Sequence, residues 1–191
     1  MIIGDPFELA LWIDAHQSWH SGPFVDGLFI LCVDGHYLLN RKSTSIRAVT
    51  LSNEQYWWTE RLDRIRALPA FDASKFTPED LFISADYPLY EATYQFNGKR
   101  LPTQARPLDQ IPSVHLTPTE TLDNDWKVYL FKDDILLKDI VIYAYRDGQD
   151  IEVHRREYSY GRIGEIIEMF IDGLSAALAK PAPAQLHSPQ S

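Results

Sequence analysis

The chain has 191 residues, 45% of them hydrophobic and 13% aromatic, and 27 acidic against 18 basic side chains leave a net charge of −9. This composition supplies a packed core and excludes a disordered chain, while the acidic average surface repels polyanions and argues against nucleic acid as a partner. The lone cysteine, Cys32, excludes an intramolecular disulfide, and no apolar run nears the roughly 20 residues of a membrane helix, so a cytoplasmic protein that engages no membrane is expected.

Residues 7–12 place Phe7, Leu9 and Leu11 on one parity and Glu8 and Ala10 on the other, the pattern of a strand. The run from Gly27 to Val33 is almost wholly apolar and ends in Asp34-Gly35 before His36-Tyr37-Leu38-Leu39, a hairpin whose turn dipeptide tolerates positive φ. Cys32 falls inside that run and reads as a buried strand thiol. Ser52-Asn53-Glu54-Gln55 has the form of a capping box. Trp58, Leu62, Ile65 and Leu68 then give a helix that Pro69 ends. A second, short helix starts at Thr77-Pro78-Glu79-Asp80, with threonine as the cap and proline where its missing donor costs nothing. Residues 89–96 are aromatic-rich and precede Asn97-Gly98, another turn dipeptide.

Four prolines punctuate residues 102–125, which reads as a long ordered loop, with room for a short strand around Val114-His115-Leu116. Residues 127–131 and 135–145 are rich in β-branched and aromatic side chains, and Asp147-Gly148 separates the second of these from residues 151–155 as a hairpin turn. Beyond Gly161, Ile163, Ile166, Ile167, Phe170, Ile171, Leu174 and Leu178 recur at helical spacing with Glu165, Glu168 and Asp172 off the stripe. That helix has one apolar face, most economically laid on the hairpin before it. The expectation is a single α+β domain over residues 1–180: an antiparallel sheet built from hairpins, packed by the C-terminal amphipathic helix and one or two further helices, with a disordered tail at 181–191.

The chemistry-bearing residues form no catalytic constellation. His16 and His20 lie where strand passes into loop, and four extended residues separate their rings by roughly 13 Å, too far to share one metal. His154 and Arg156 share one face of a strand and read as a solvated charged surface. The acid pairs Glu79/Asp80, Asp123/Asp125 and Asp133/Asp134 suit helix starts and turns, and no metal or cofactor is expected. Adjacent Trp57 and Trp58 cannot both face one core from a helix, so at least one lies near the surface. Asp123, Asp125, Asp133 and Asp134 flank Trp126 in sequence, so these five residues and Trp57 are the candidate partner-binding set: solvated acids around an aromatic anchor.

Met1-Ile2-Ile3-Gly4-Asp5-Pro6-Phe7, followed by Gly27-Leu28-Phe29 running into Val33-Asp34-Gly35, resembles the immunity protein 42 family of bacterial polymorphic toxin systems. The likeness is concentrated in the first 40 residues; the late hairpin and C-terminal helix agree more loosely. It implies a small antidote that binds and neutralises a toxin encoded next door, and no catalytic residues; separately, the net charge of −9 would steer a basic toxin as the partner. Read from the residues alone, Asp5 sits in a turn that seats the first strand, its carboxylate free to accept backbone amides. An enzyme using a carboxylate cluster and a structural or adaptor domain are the alternative readings.

Overall fold

The computed structural model describes residues 1–15, 25–39, 49–86, 95–99, 111–117 and 125–179. Among the described residues there are two sheets instead of one, each of five strands. In the first, β1 (Ile2–Gly4), β2 (Leu9–Ala15), β3 (Asp26–Val33) and β4 (His36–Tyr37) follow one another in order, and β5 (Val49–Thr50) pairs with β3, all antiparallel. In the second, β6 (Gln95–Phe96), β10 (Asp150–Ser159), β9 (Lys138–Asp147), β8 (Trp126–Asp133) and β7 (Val114–His115) lie side by side, antiparallel except for the β6–β10 pair.

The turns follow their chemistry. Asp34 and Gly35 both have positive φ (52° and 79°), as do Asn97 and Gly98 (49° and 72°), the signature of a type I′ turn. The β9–β10 turn differs from expectation: Asp147 still pairs with Asp150, so the loop is Gly148-Gln149, with positive φ at Gly148 alone, the type II′ pattern. At the N-terminus the expected strand over 7–12 is displaced to begin at Leu9, and Phe7 lies in the turn, 75% exposed. That turn is seated as the sequence suggests, with the Phe7 amide donating to Asp5 Oδ1 at 2.9 Å.

The two glycines of the N-terminal motif are required by packing. Gly4 has φ 87°, and a Cβ on it would lie 2.4 Å from Leu9 O; a Cβ on Gly27 would lie 2.4 Å from Asp14 O. No side chain fits where strands approach this closely.

Helix α1 (Leu51–Arg66) starts directly from β5, so the cap position falls to Thr50, whose hydroxyl is taken by Asp26 at 3.0 Å. The expected Ser52–Gln55 box is therefore not formed: Ser52 is already inside the helix, and the Gln55 amide donates to Ser175 Oγ at 2.6 Å. At α2 (Pro78–Asp86) the expected cap is present, the Asp80 amide donating to Thr77 Oγ1 at 3.1 Å and the Thr77 amide to Asp80 Oδ2 at 3.1 Å.

Helix α3 (Arg162–Leu178) buries Ile163, Ile166, Ile167, Phe170 and Leu174 completely. It lies antiparallel to α1 and against β1 and β2 far more than against the hairpin that precedes it. Trp58 joins the layers, stacked on Phe29 of β3 at 6.1 Å and edge-on to Phe170 at 5.5 Å. One apolar cluster thus runs from β2 and β3 through α1 and α3 to Val128, Leu130, Val141 and Tyr143 of the second sheet. The opposite face of that sheet, with Tyr129, Phe131, Ile140 and Ile142, closes a second cluster under α2. A sheet covered on both faces needs apolar side chains at both parities, which is why β8 and β9 read as unbroken apolar runs.

His16, His20, Asp123, most of the proline-rich segment and residues 181–191 lie outside the described residues, although Val114–His115 does form the short strand that segment has room for. No helix among the described residues is long and apolar enough to cross a membrane.

Candidate partner-binding surface

The candidate residues that the structure describes, Trp57, Asp125, Trp126, Asp133 and Asp134, do not form one patch. Trp126 opens β8 and Asp133 closes it, so seven residue steps of roughly 3.3 Å put about 23 Å between the two ends of the expected patch. Trp126 is also no exposed anchor. It is 2% exposed, its ring lies 4.9 Å from that of Tyr145, and its Nε1 donates to Leu39 O at 2.9 Å, which ties the chain just beyond β4 to the second sheet. An indole with a buried acceptor for its N–H is satisfied in the core. Asp125, just before it, has φ 59° and offers its carbonyl to the Arg146 amide at 2.9 Å.

Asp133, expected among the solvated acids, is fully buried. Its Oδ1 accepts the amides of Ile135 at 2.8 Å and Leu136 at 2.7 Å, and its Oδ2 accepts the amide of Ala73 at 3.2 Å, in the 3-10 turn Ala73–Lys75. Three amides replace the water that the carboxylate gives up. Asp134 and Trp57 keep to the surface, Trp57 39% exposed and edge-on to Tyr56 at 5.7 Å.

What sequence reading missed is the tip between β8 and β9. Asp133 pairs with Lys138, so residues 134–137 form a four-residue loop, and Ile135, Leu136 and Leu137 are 64%, 50% and 63% exposed. Three aliphatics ahead of a β-rich run read as the start of the strand. The signal against that reading is the neighbouring Asp133-Asp134, an acid pair placed to accept the amides of a turn.

A second polar group sits where the sheets meet. Tyr143 stacks on His154 at 4.8 Å and 16°, with His36 of β4 at 6.2 Å from Tyr143 and 6.4 Å from His154. His154 Nε2 lies 3.1 Å from Glu152, Arg156 3.5 Å from Asp34, and the Tyr143 hydroxyl donates to Asp34 at 3.4 Å. Burial, with Asp34 beside it, pushes the Tyr143 hydroxyl up to about 12. His154 is therefore held between an aromatic face and a carboxylate, an arrangement that fastens the sheets together. Cys32 is buried as expected, its thiol donating to Pro6 O at 3.3 Å and pushed up by desolvation, which makes it a poor nucleophile. Among the described residues no three His, Cys, Asp or Glu side chains gather as a metal ion would require.

The immunity protein 42 family model matches residues 1–173, a span that includes α1, α2 and all but the last turns of α3. The chain belongs to the immunity protein 42 family. Its Gly4-Asp5-Pro6 and Gly27-Leu28-Phe29 elements, which carry the resemblance, are places where a Cβ on the glycine would meet the neighbouring strand's backbone. The fold of this family member is similar to the crystal structure of CdiI from Burkholderia dolosa AUO158, with a TM-score of 0.56 and 18% identity over 92% of this chain and 99% of that one. At that identity the likeness concerns the fold. No curated protein matches the chain.

Proposed function

We propose that the protein is the antidote of a toxin–immunity pair, acting in the cytoplasm by binding its cognate toxin and occluding it stoichiometrically, without turnover. The observation that carries this reading is the family match over residues 1–173. The net charge of −9 supports a basic toxin as the partner, since an acidic surface steers an oppositely charged one and raises the rate of encounter. Of the residues expected at the interface, Asp134 and Trp57 are exposed and available to a partner.

Co-expression tests the reading. Cells producing the toxin encoded by the adjacent gene should stop growing, cells producing both proteins should grow, and a tagged toxin should retain the antidote through purification at a one-to-one ratio. Growth arrest despite ample soluble antidote, with no co-purification, would refute it.

A further inference from the structure

The two-residue turns among the described residues are built from polar or glycine residues: Asp34-Gly35, Asn97-Gly98 and Gly148-Gln149. The β8–β9 turn alone among the described hairpin turns carries three consecutive aliphatics at its crest, each half exposed or more. Nothing about reversing the chain asks for them, since a connecting turn is served by residues that water solvates.

The crest is also held in one shape. The Asp133 carboxylate fixes the Ile135 and Leu136 amides from below. The base is bolted down on both sides, the Phe71 amide donating to Lys132 O at 3.0 Å and the Asp134 amide to Phe71 O at 3.2 Å. Lys132 Nζ in turn donates to Ile65 O at 2.7 Å at the end of α1. Leu137 is held at φ 51°, a left-handed conformation that costs a branched side chain energy and persists only where its surroundings impose it. A buried carboxylate and a strained leucine are thus spent on presenting apolar side chains to water.

We infer that the Ile135-Leu136-Leu137 tip is a preorganised plug that inserts into an apolar pocket of the cognate toxin. The inference rests on the antidote reading above and names the surface that it leaves open. A narrow convex tip is covered fully only by a concave partner, and the absence of charge on its three side chains calls for an apolar floor. The exposed carboxylate of Asp134 at its base calls for a basic residue at the pocket rim. Because the tip is rigid before binding, little ordering entropy opposes insertion, and the contact acts mainly on dissociation.

The test compares the full-length wild type with two variants, Leu136→Asp alone and the triple Ile135→Ser, Leu136→Ser, Leu137→Asn, in binding kinetics against the purified toxin domain encoded next door. Asparagine tolerates the left-handed conformation, and all three positions are exposed, so melting temperatures should match the wild type. The expected result is a loss of affinity of about 30-fold or more in both variants, carried by faster dissociation, as for a central interface anchor. Wild type and variants binding within about threefold of each other would overturn the plug while leaving the antidote reading intact. A wild type that binds no toxin would remove that reading itself. Light scattering on the antidote alone supplies the remaining outcome: a wild-type dimer that the triple variant turns into a monomer would assign the tip to a second copy of this chain and overturn the inference.

Discussion

The carboxylate of Asp139, on β9, accepts the amide of Ile163, in the first turn of α3, at 2.9 Å. The residue at the cap position, Gly161, has φ 83° and no side chain to offer, so the strand supplies what the helix start lacks. A fully buried acid is tolerated there because it meets the positive end of the helix. Burial nevertheless raises its affinity for a proton above the ordinary carboxylate value, while the Ile163 and Gly161 amides pull the other way.

Replacing Asp139 with Ala removes that acceptor and leaves buried amides unpaired, which costs about 1–3 kcal/mol. Asp139→Asn keeps an oxygen in place and should cost less. Denaturant unfolding of the two variants checks the order, and a loss in the alanine variant no larger than that in the asparagine variant would show that the cap contributes nothing.

Gly27→Ala tests whether the family motif is structural. A Cβ would meet a backbone oxygen, Asp14 O at 2.4 Å, and the Leu51 side chain at 2.9 Å, so β2 and β3 must part. Overpacking of this kind costs about 1–3 kcal/mol. A melting temperature unchanged by the substitution would mean that the strands separate freely at that point.

His115 on β7 gives a pH dependence. Burial, followed by the charges of Lys127, Arg61 and Arg64, lowers its pKa from 6.5 to about 4. The unfolded chain therefore binds more protons than the native one between those values, and the stability tied to the neutral ring is present above about pH 6.5 and lost as the pH falls toward 4. The loss amounts to at most about 3 kcal/mol. His115→Gln should be flatter than the wild type across that window. Parallel stability curves for the two would assign the acid sensitivity to other groups.

Much of the fold was legible where local chemistry decides it. Asp34-Gly35 and Asn97-Gly98 dictate their turns, Thr77 and Asp80 cap each other, and the α3 stripe buries most of the side chains that its spacing selects, with Ile171 and Leu178 at its edge half-buried. Reading failed where a distant partner decides. Thr50 rather than Ser52 precedes α1 because Val49 and Thr50 are paired to β3, and α3 leans on α1 and the first sheet because Trp58 and Phe170 meet there. Two of the candidate surface residues are buried for the same reason. Acids and a tryptophan close in sequence look like one patch, but an extended strand carries Trp126 and Asp133 to opposite ends, and the third dimension buries both. Conversely, Ile135-Leu136-Leu137 have the composition of a strand, and only the pairing of Asp133 with Lys138 turns them outward.

The central claim, neutralisation by occupancy rather than by turnover, is tested most directly by titrating a fixed concentration of active toxin with the purified protein and following the toxin's own activity. Stoichiometric occlusion predicts that activity falls linearly and reaches zero at one equivalent of antidote, with no change on longer incubation. Activity that disappears with time at well below one equivalent would reveal a catalytic antidote, and activity that survives several equivalents would contradict neutralisation of that toxin altogether.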